Sequence, residues 1–152
     1  MLPTRRDTLI LGAALPLFAG SAASAEAAGP PERKQAIRIF RIYADAAGHS
    51  HIEQVVVASA RKELPVASVL AVGYAKAVED WHRAPFKTFT INTSGRIEVE
   101  LSDGTRQAIG PGDLVYLEDI AGKGHLTRLL TDGANLFLRM PDDFDLLAWA
   151  RE

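Results

Sequence analysis

Polar and apolar positions alternate in two neighbouring segments near the middle of the chain. Residues 88–92 place an apolar side chain at every second position, and residues 97–101 repeat the pattern. A period of two is typical of an extended strand whose two faces have different surroundings. Because Ser94 and Gly95 supply a turn between the segments, the pattern predicts two antiparallel strands.

Turn signals divide the rest of the chain into further short strands. Asp103-Gly104 and the run Gly110-Pro111-Gly112-Asp113 each predict a sharp reversal of the chain. The segments between such turns are rich in β-branched and other apolar residues, and they lack the period of a helix. We see no internal repeat. Further strands are predicted over residues 37–43, 51–57, 66–74, 114–117 and 135–140 and after His125, with the first two paired antiparallel.

The strand over residues 88–92 allows two interpretations of the protein interior. If Thr88, Thr90 and Asn92 face inward, their polar surface exceeds what a dry core needs and predicts a hydrated or ligand-filled cavity. A shift of one residue would instead turn Phe89 and Ile91 inward and leave the polar side chains in solvent. We favour the cavity, which makes the two threonines candidate ligand-binding residues.

The central third of the chain has the order His82, strand, Gly95, strand, Asp103-Gly104, then Pro111-Gly112-Asp113, a strand, a glycine-rich turn and His125. This order resembles the two signature motifs of the cupin superfamily. Cupins are double-stranded β-helices, so the resemblance implies an all-β, cupin-type jelly-roll barrel.

We expect this barrel to span about residues 37–140 within a cupin domain of residues 37–152. A short C-terminal amphipathic helix is predicted to follow, because Pro141 and two aspartates form a typical helix start. That helix would cover a sheet edge or one end of the barrel.

Cupins typically hold one divalent metal on a His-x-His motif, a Glu and a later His. Aligned on the glycine between the two central strands, His82 and His125 match two of these positions, whereas Ala84 and Thr88 stand at the other two. Alanine cannot coordinate a metal, and a neutral hydroxyl is a weak ligand. We therefore predict weak or substoichiometric divalent metal, with His51 as the candidate third ligand. The two matching histidines would then act as an acid/base or hydrogen-bonding pair.

Other residues near the motifs are candidates for catalysis and ligand binding. Glu118 or Asp119 could orient His125 and raise its basicity, which makes His82, His125 and Glu118 the predicted catalytic set. The alternative for Asp119 is a turn-forming side chain. The remaining ligand-binding candidates are two aromatic residues that could equally be core and one cation that could pair with carboxylates: Trp81, Tyr116 and Arg128.

The N-terminus has the pattern of an export signal. Arg5-Arg6 precedes an apolar stretch over residues 9–18, and Ala23-Ser24-Ala25 offers small residues for cleavage. This predicts a cleaved signal over residues 1–25, of twin-arginine type with the general secretory route as the alternative, and a linker over residues 26–36. The apolar stretch is shorter than the ~20 residues that span a bilayer, so we expect no stable membrane span after cleavage. The predicted location is periplasmic or secreted.

Composition and charge narrow the function classes. The chain has no cysteine, which excludes disulfides and thiolate metal sites. It carries 17 Lys and Arg against 19 Asp and Glu, a formal net charge of −2 at pH 7, so no basic surface for nucleic acid is predicted.

We therefore expect an exported cupin that binds a small molecule, or an enzyme of isomerase, lyase or dioxygenase type acting in the barrel pocket. The fold alone assigns no reaction. The alternative is a non-catalytic binding, sensory or structural module that has lost its metal, and a carbohydrate-binding jelly roll is a third hypothesis. Cupins often pair through their sheets, so the resemblance also implies a homodimer.

Overall fold

The computed structural model describes residues 36–59 and 61–152. The predicted export signal over residues 1–25 lies outside the described residues, as does the predicted linker up to residue 35. Within the described part, no helix has the length and apolar character needed to cross a membrane.

Short strands dominate the described chain, and one helix follows them. The elements are β1 Arg38–Ala44, β2 Ser50–Val56, β3 Ser68–Tyr74, β4 Ala77–His82, β5 Thr88–Ser94, β6 Ile97–Glu100, β7 Arg106–Ile109, β8 Leu114–Leu117, β9 His125–Leu129, β10 Gly133–Arg139 and α1 Leu146–Arg151.

The strands form two sheets. The larger sheet has the order β2-β1-β8-β5-β10-β3, and the smaller sheet has the order β4-β9-β6-β7. All neighbours pair antiparallel except β1 and β8, which run parallel. The architecture is predominantly β with a short C-terminal helix, which is compatible with a β-sandwich and with a cupin fold.

The predicted pairing of the first two strands is confirmed by β1 and β2. The predicted pairing of the two central strands is wrong, because β5 pairs with β8 and β10 whereas β6 pairs with β7 and β9. The chain changes sheets at Gly95, where φ is +85° and a Cβ would lie 2.7 Å from Tyr74 Oη and 2.8 Å from Asp132 O. Glycine is required there for a crossing between sheets, which the sequence pattern cannot distinguish from a hairpin turn.

Two strands and the start of the helix differ from the sequence-based expectation. Strands β4 and β7 were not predicted, and both lie at edges of the smaller sheet. The helix was predicted to begin at Pro141, but it begins at Leu146. Residues 141–144 form a turn in which Phe144 N donates to Pro141 O at 3.1 Å. Asp145 caps the helix by accepting from Ala148 N at 3.0 Å.

The larger sheet is apolar on both faces, and a different cluster covers each. One cluster joins it to the smaller sheet: Ile42, Ile97, Val99, Leu101, Ile109, Val115 and Leu129. The other lies on the opposite face, beneath the C-terminal helix: Ile39, Val55, Val57, Phe89, Tyr116, Met140, Phe144, Leu146 and Ala150. The helix therefore covers a sheet face rather than a sheet edge. The cavity lies on the other face of the larger sheet, between the two sheets.

Candidate functional site

Two adjoining chambers lie between the sheets. The inner chamber has a volume of about 120 Å³ and includes Thr90 and Asn135 in its lining. The outer chamber has a volume of about 430 Å³ and includes Thr88 and Ala84. The residues that line both chambers are Val72, His82, Leu117, His125 and Phe137. The two histidines therefore lie where the chambers meet, in contact with any ligand that extends from one into the other.

The histidine pair is held by cross-strand pairing in the smaller sheet. His82 is the last residue of β4, His125 is the first residue of β9, and the two are register partners. Their ring centroids are 4.5 Å apart with an interplanar angle of 60°. Gly124 has φ +73°, and a Cβ on it would lie 1.9 Å from His82 O. The close approach of the two strands therefore requires glycine at this position.

A buried carboxylate orients His125. Its Nδ1 lies 2.6 Å from Asp119 Oδ2, and the exposed fractions of the two side chains are 4% and 0%. Because a carboxylate only accepts hydrogen bonds, Nδ1 carries the proton and donates it, which leaves Nε2 free for a ligand. The other oxygen, Asp119 Oδ1, has no hydrogen-bond partner within the described residues.

His82 is oriented by the backbone. Its Nδ1 lies 2.7 Å from the carbonyl oxygen of Asp80, so Nδ1 is the donor and Nε2 carries the lone pair. That Nε2 lies 3.9 Å from Glu79 Oε2, another residue of the inner chamber. The structure therefore combines two imidazoles, each with Nε2 available, at the junction of the chambers.

Glu118, which was predicted to act with His125, has a different partner. Arg41 Nε donates to Glu118 Oε1 at 2.7 Å, and Arg41 Nη2 contacts the same oxygen. Arg41 also donates to Glu53 at 2.6 Å. The neighbouring Asp119 contacts His125 instead, because consecutive residues of an extended chain point to opposite sides.

The residues present do not fit the metal site of a cupin. Ala84 and Thr88 line the outer chamber, where the two missing ligands would be needed, and Thr88 Oγ1 donates to Phe86 O at 3.0 Å. Across residues 36–59 and 61–152, no three His, Cys, Asp or Glu residues are arranged to hold a metal ion. His51 is not brought to the pair, since its Nε2 lies 2.9 Å from Asp45 Oδ2 on a different turn.

Three of the predicted ligand-binding residues lie outside both chambers. Tyr116 is fully buried beneath the helix, with its ring 4.8 Å from that of Phe89, because it faces the side of β8 opposite the cavity. The ring of Trp81 lies 4.0 Å from Lys123 Nζ and lines a separate surface pocket. Arg128 belongs to the outward face of β9, since it alternates with Thr127, which lines the inner chamber.

Arg128 also forms ion pairs with two glutamates. Its Nη1 donates to Glu98 Oε1 at 3.2 Å, and its Nη2 lies 2.6 Å from Glu100 Oε2. The structure therefore supports the alternative prediction for Arg128, in which it pairs with carboxylates.

Three residues of β10 that line the cavity were not selected from the sequence: Asn135, Phe137 and Arg139. Asn135 lines the inner chamber, is 9% exposed, and its side-chain oxygen has no hydrogen-bond partner within the described residues. Arg139 lines the outer chamber, together with Phe137 from the same strand. The signal that could have found them is the period of two, which places positions 135, 137 and 139 on one face.

Comparisons with known proteins add only weak structural likeness. No protein-family model matches the chain, and no curated protein is similar to it. A crystal structure of ethanolamine utilization protein Q from Salmonella typhimurium LT2 is similar at 12% sequence identity and a TM-score of 0.38, over 72% of this chain and 99% of that chain. The functional argument therefore rests on the cavity and the residues around it.

Proposed function

We propose that this chain is a cupin-type double-stranded β-helix that binds a small organic molecule between its sheets, in contact with His82 and His125. The observation that carries the proposal is the buried Asp119–His125 pair, whose histidine lines both chambers. A buried carboxylate is costly unless it is hydrogen-bonded, and here one of its oxygens is unpaired. Packing alone gives no reason for such a group behind a histidine of the cavity wall.

The chemistry that this arrangement supports is proton transfer. The carboxylate fixes the tautomer of His125 and leaves its Nε2 free, while His82 offers a second Nε2 next to it. Two adjacent Nε2 atoms, one of which can take a proton from the ligand and return it at another position, match an isomerase or lyase. They match a dioxygenase less well, because the donor set for a metal is incomplete.

A second candidate is a binding or sensory module without turnover. It is favoured by Ala84 and Thr88, which remove two of the four ligands that cupins typically use. In that case the histidine pair hydrogen-bonds the ligand and transfers no proton.

The proposal is tested by screening the folded protein against small organic acids, amides, alcohols and sugars by ligand-observed NMR. Replacing His125 with Ala should abolish binding of any hit, whereas a chelator should have no effect. His51→Ala is the matched control, because His51 also pairs with an aspartate but lies on another turn. Tightly held stoichiometric metal that is lost on replacing His82 or His125 would contradict this assignment.

Asp119 is proposed as a positioning residue. The variant Asp119→Asn keeps the shape of the side chain and removes the charge that favours the reactive tautomer. If the protein turns a hit over, this variant should alter the pH profile and lower kcat more than it raises KM. An unchanged pH profile would assign Asp119 a purely structural role.

We also propose that the chain is exported to the periplasm or beyond, from the paired arginines, the apolar stretch and the small residues that follow it. Replacing Arg5 and Arg6 together with Lys should leave precursor in the cytoplasm if the twin-arginine route is used. Continued processing to a chain that begins at Glu26 would assign the general secretory route instead.

A further inference from the structure

The outer chamber has an uneven distribution of charge. His82 and His125 lie where it meets the inner chamber, and Arg139 is the guanidinium in its lining. Among the residues that the structure describes, no aspartate or glutamate lines this chamber. Most of the remaining wall is apolar and includes Leu70 and Phe137. Such a wall disfavours a cationic ligand and favours an anion with an apolar body.

The guanidinium of Arg139 is available to a ligand. Its central carbon lies 3.7 Å from the centroid of the Phe86 ring, which also lines the chamber. The nearest carboxylate is that of Asp142, at 3.9 Å and with a side chain that is 90% exposed, so this ion pair is weak. Within the described residues the guanidinium makes no hydrogen bond, in contrast to Arg41 and Arg128, which both bond carboxylates.

The backbone places Arg139 at the chamber through strand register. Arg139 pairs with Thr88 of β5 on one side and with Ser68 of β3 on the other, and both residues line the outer chamber. Stacking on Phe86 limits the motion of the long side chain and leaves the edges of the guanidinium plane for hydrogen bonding.

We propose that Arg139 binds the carboxylate of a small organic acid whose apolar body occupies the outer chamber and whose far end reaches His82 and His125. This inference rests on the proposed function and names the ligand class of the same site. A planar guanidinium donates two parallel hydrogen bonds to one carboxylate, which fixes the orientation of the acid. The histidine pair then acts on the end of the ligand away from the carboxylate.

The test compares acids with neutral analogues of the same shape. Butyrate, hexanoate and octanoate are titrated into the full chain beside butanamide, hexanamide and octanamide, with NMR chemical shifts of the protein as the readout. At least one acid should bind about tenfold more tightly than its amide, as expected for a hydrogen bond to a charged group. In Arg139→Gln this preference should disappear, whereas Arg139→Lys should keep part of it.

The control is Arg128→Gln, which removes an arginine that pairs with glutamates on the outward face of β9. It should leave the preference for acids unchanged. Equal binding of acid and amide by the wild type, with both lost in His125→Ala, would overturn the role of Arg139 and leave the proposed binding site standing. A preference that survives Arg139→Gln would likewise overturn it. If neither series binds to the wild type, the carboxylate site is overturned, whereas the proposed function is overturned only if the wider screen with alcohols and sugars also gives no hit.

Discussion

Two turns of this protein share Asp, Ala, Gly and His at the same spacing but have different surroundings. Residues 45–51 read Asp-Ala-Ala-Gly-His-Ser-His, and residues 119–125 read Asp-Ile-Ala-Gly-Lys-Gly-His. Each connects two strands, β1 to β2 in the first case and β8 to β9 in the second. They also touch, since Lys123 N donates to Gly48 O at 3.0 Å.

In the first turn, both carboxylate oxygens of the aspartate are hydrogen-bonded within the turn. Asp45 Oδ1 accepts from the backbone nitrogens of Ala47 and His49 at 2.9 Å each, and Oδ2 lies 2.9 Å from His51 Nε2. About a third of each paired side chain is exposed, 35% for the aspartate and 34% for His51. This pair stabilises a turn at the surface.

In the second turn the same pair is buried and incompletely satisfied. Asp119 bonds His125 through Nδ1 and leaves Nε2 free, whereas Asp45 occupies Nε2 of its histidine. The sixth position of the motif also differs, since Gly124 replaces Ser50 and allows the backbone of His82 to approach. Burial and this one glycine, rather than the motif, therefore distinguish a candidate site from a surface turn.

The largest predicted effect comes from giving the second turn a side chain at the sixth position. In Gly124→Ala, a Cβ would meet His82 O at 1.9 Å on a backbone with φ +73°. We expect a loss of about 3 kcal/mol or more in the free energy of unfolding, since overpacking adds to backbone strain.

The matched control for this substitution is Gly104→Ala. Its φ is +85°, but nothing lies within 4 Å of the added Cβ, so it isolates the cost of the backbone conformation, about 1 kcal/mol. Urea denaturation measures both variants. Equal losses would show that the contact between Gly124 and His82 does not matter.

A smaller effect is predicted for removing the two aspartates. Asp119→Ala leaves the buried Nδ1 of His125 without an acceptor, so we expect a loss of about 2 kcal/mol in the free energy of unfolding. Asp45→Ala should cost less, because water replaces the bonds of an exposed side chain. A larger loss in Asp45→Ala would reverse the assignment of the two turns.

The positions of many strands could be predicted from the sequence, but their partners could not. Alternation in residues 88–92 and 97–101 identifies β5 and β6, because the period depends only on the two faces of each strand. The pairing depends on distant strands, here β10 and β9, which leave no local signal. Strand β4 was missed because four of its six residues are exposed edge positions without alternation.

Only part of the candidate site could be predicted from the sequence, because the direction of several side chains depends on how the strands pair. His82 and His125 were selected and the structure brings them together, because the order of motifs preserves their register. Choosing between Glu118 and Asp119 required the direction of each side chain at the end of β8. Arg128 was selected as a ligand-binding candidate, and Arg139 was not. Finding which arginine lines the cavity required knowing which face of each strand meets it, which only the pairing of the sheets determines.

Ser50 gives the next prediction, because it occupies in the first turn the position of Gly124. It is fully buried, and its hydroxyl accepts from Ser102 N at 2.8 Å while its own backbone nitrogen donates to Ser102 Oγ at 2.7 Å. Ser50→Ala should reduce the free energy of unfolding by about 1 kcal/mol, by leaving one backbone donor unpaired. Ligand binding at the histidine pair should not change, and its loss would show that the two turns are coupled.

The smallest predicted effect is on the pH dependence of the free energy of unfolding, through Asp45 in the first turn. Hydrogen bonds from His51, and then from the backbone of His49, lower the pKa of Asp45 from 3.8 to about 2. Because the pKa is lower in the folded state than in the unfolded state, this carboxylate contributes stability above pH 3.8, and the contribution is lost as the pH falls towards about 2. Asp45→Asn should therefore make the free energy of unfolding less dependent on pH in this interval. The measurement is urea denaturation at a series of acidic pH values, with His51→Leu as a variant that removes the hydrogen bond from His51 alone and should give an intermediate slope. An unchanged slope in Asp45→Asn would mean that the turn at residues 45–51 does not hold its aspartate in the charged form.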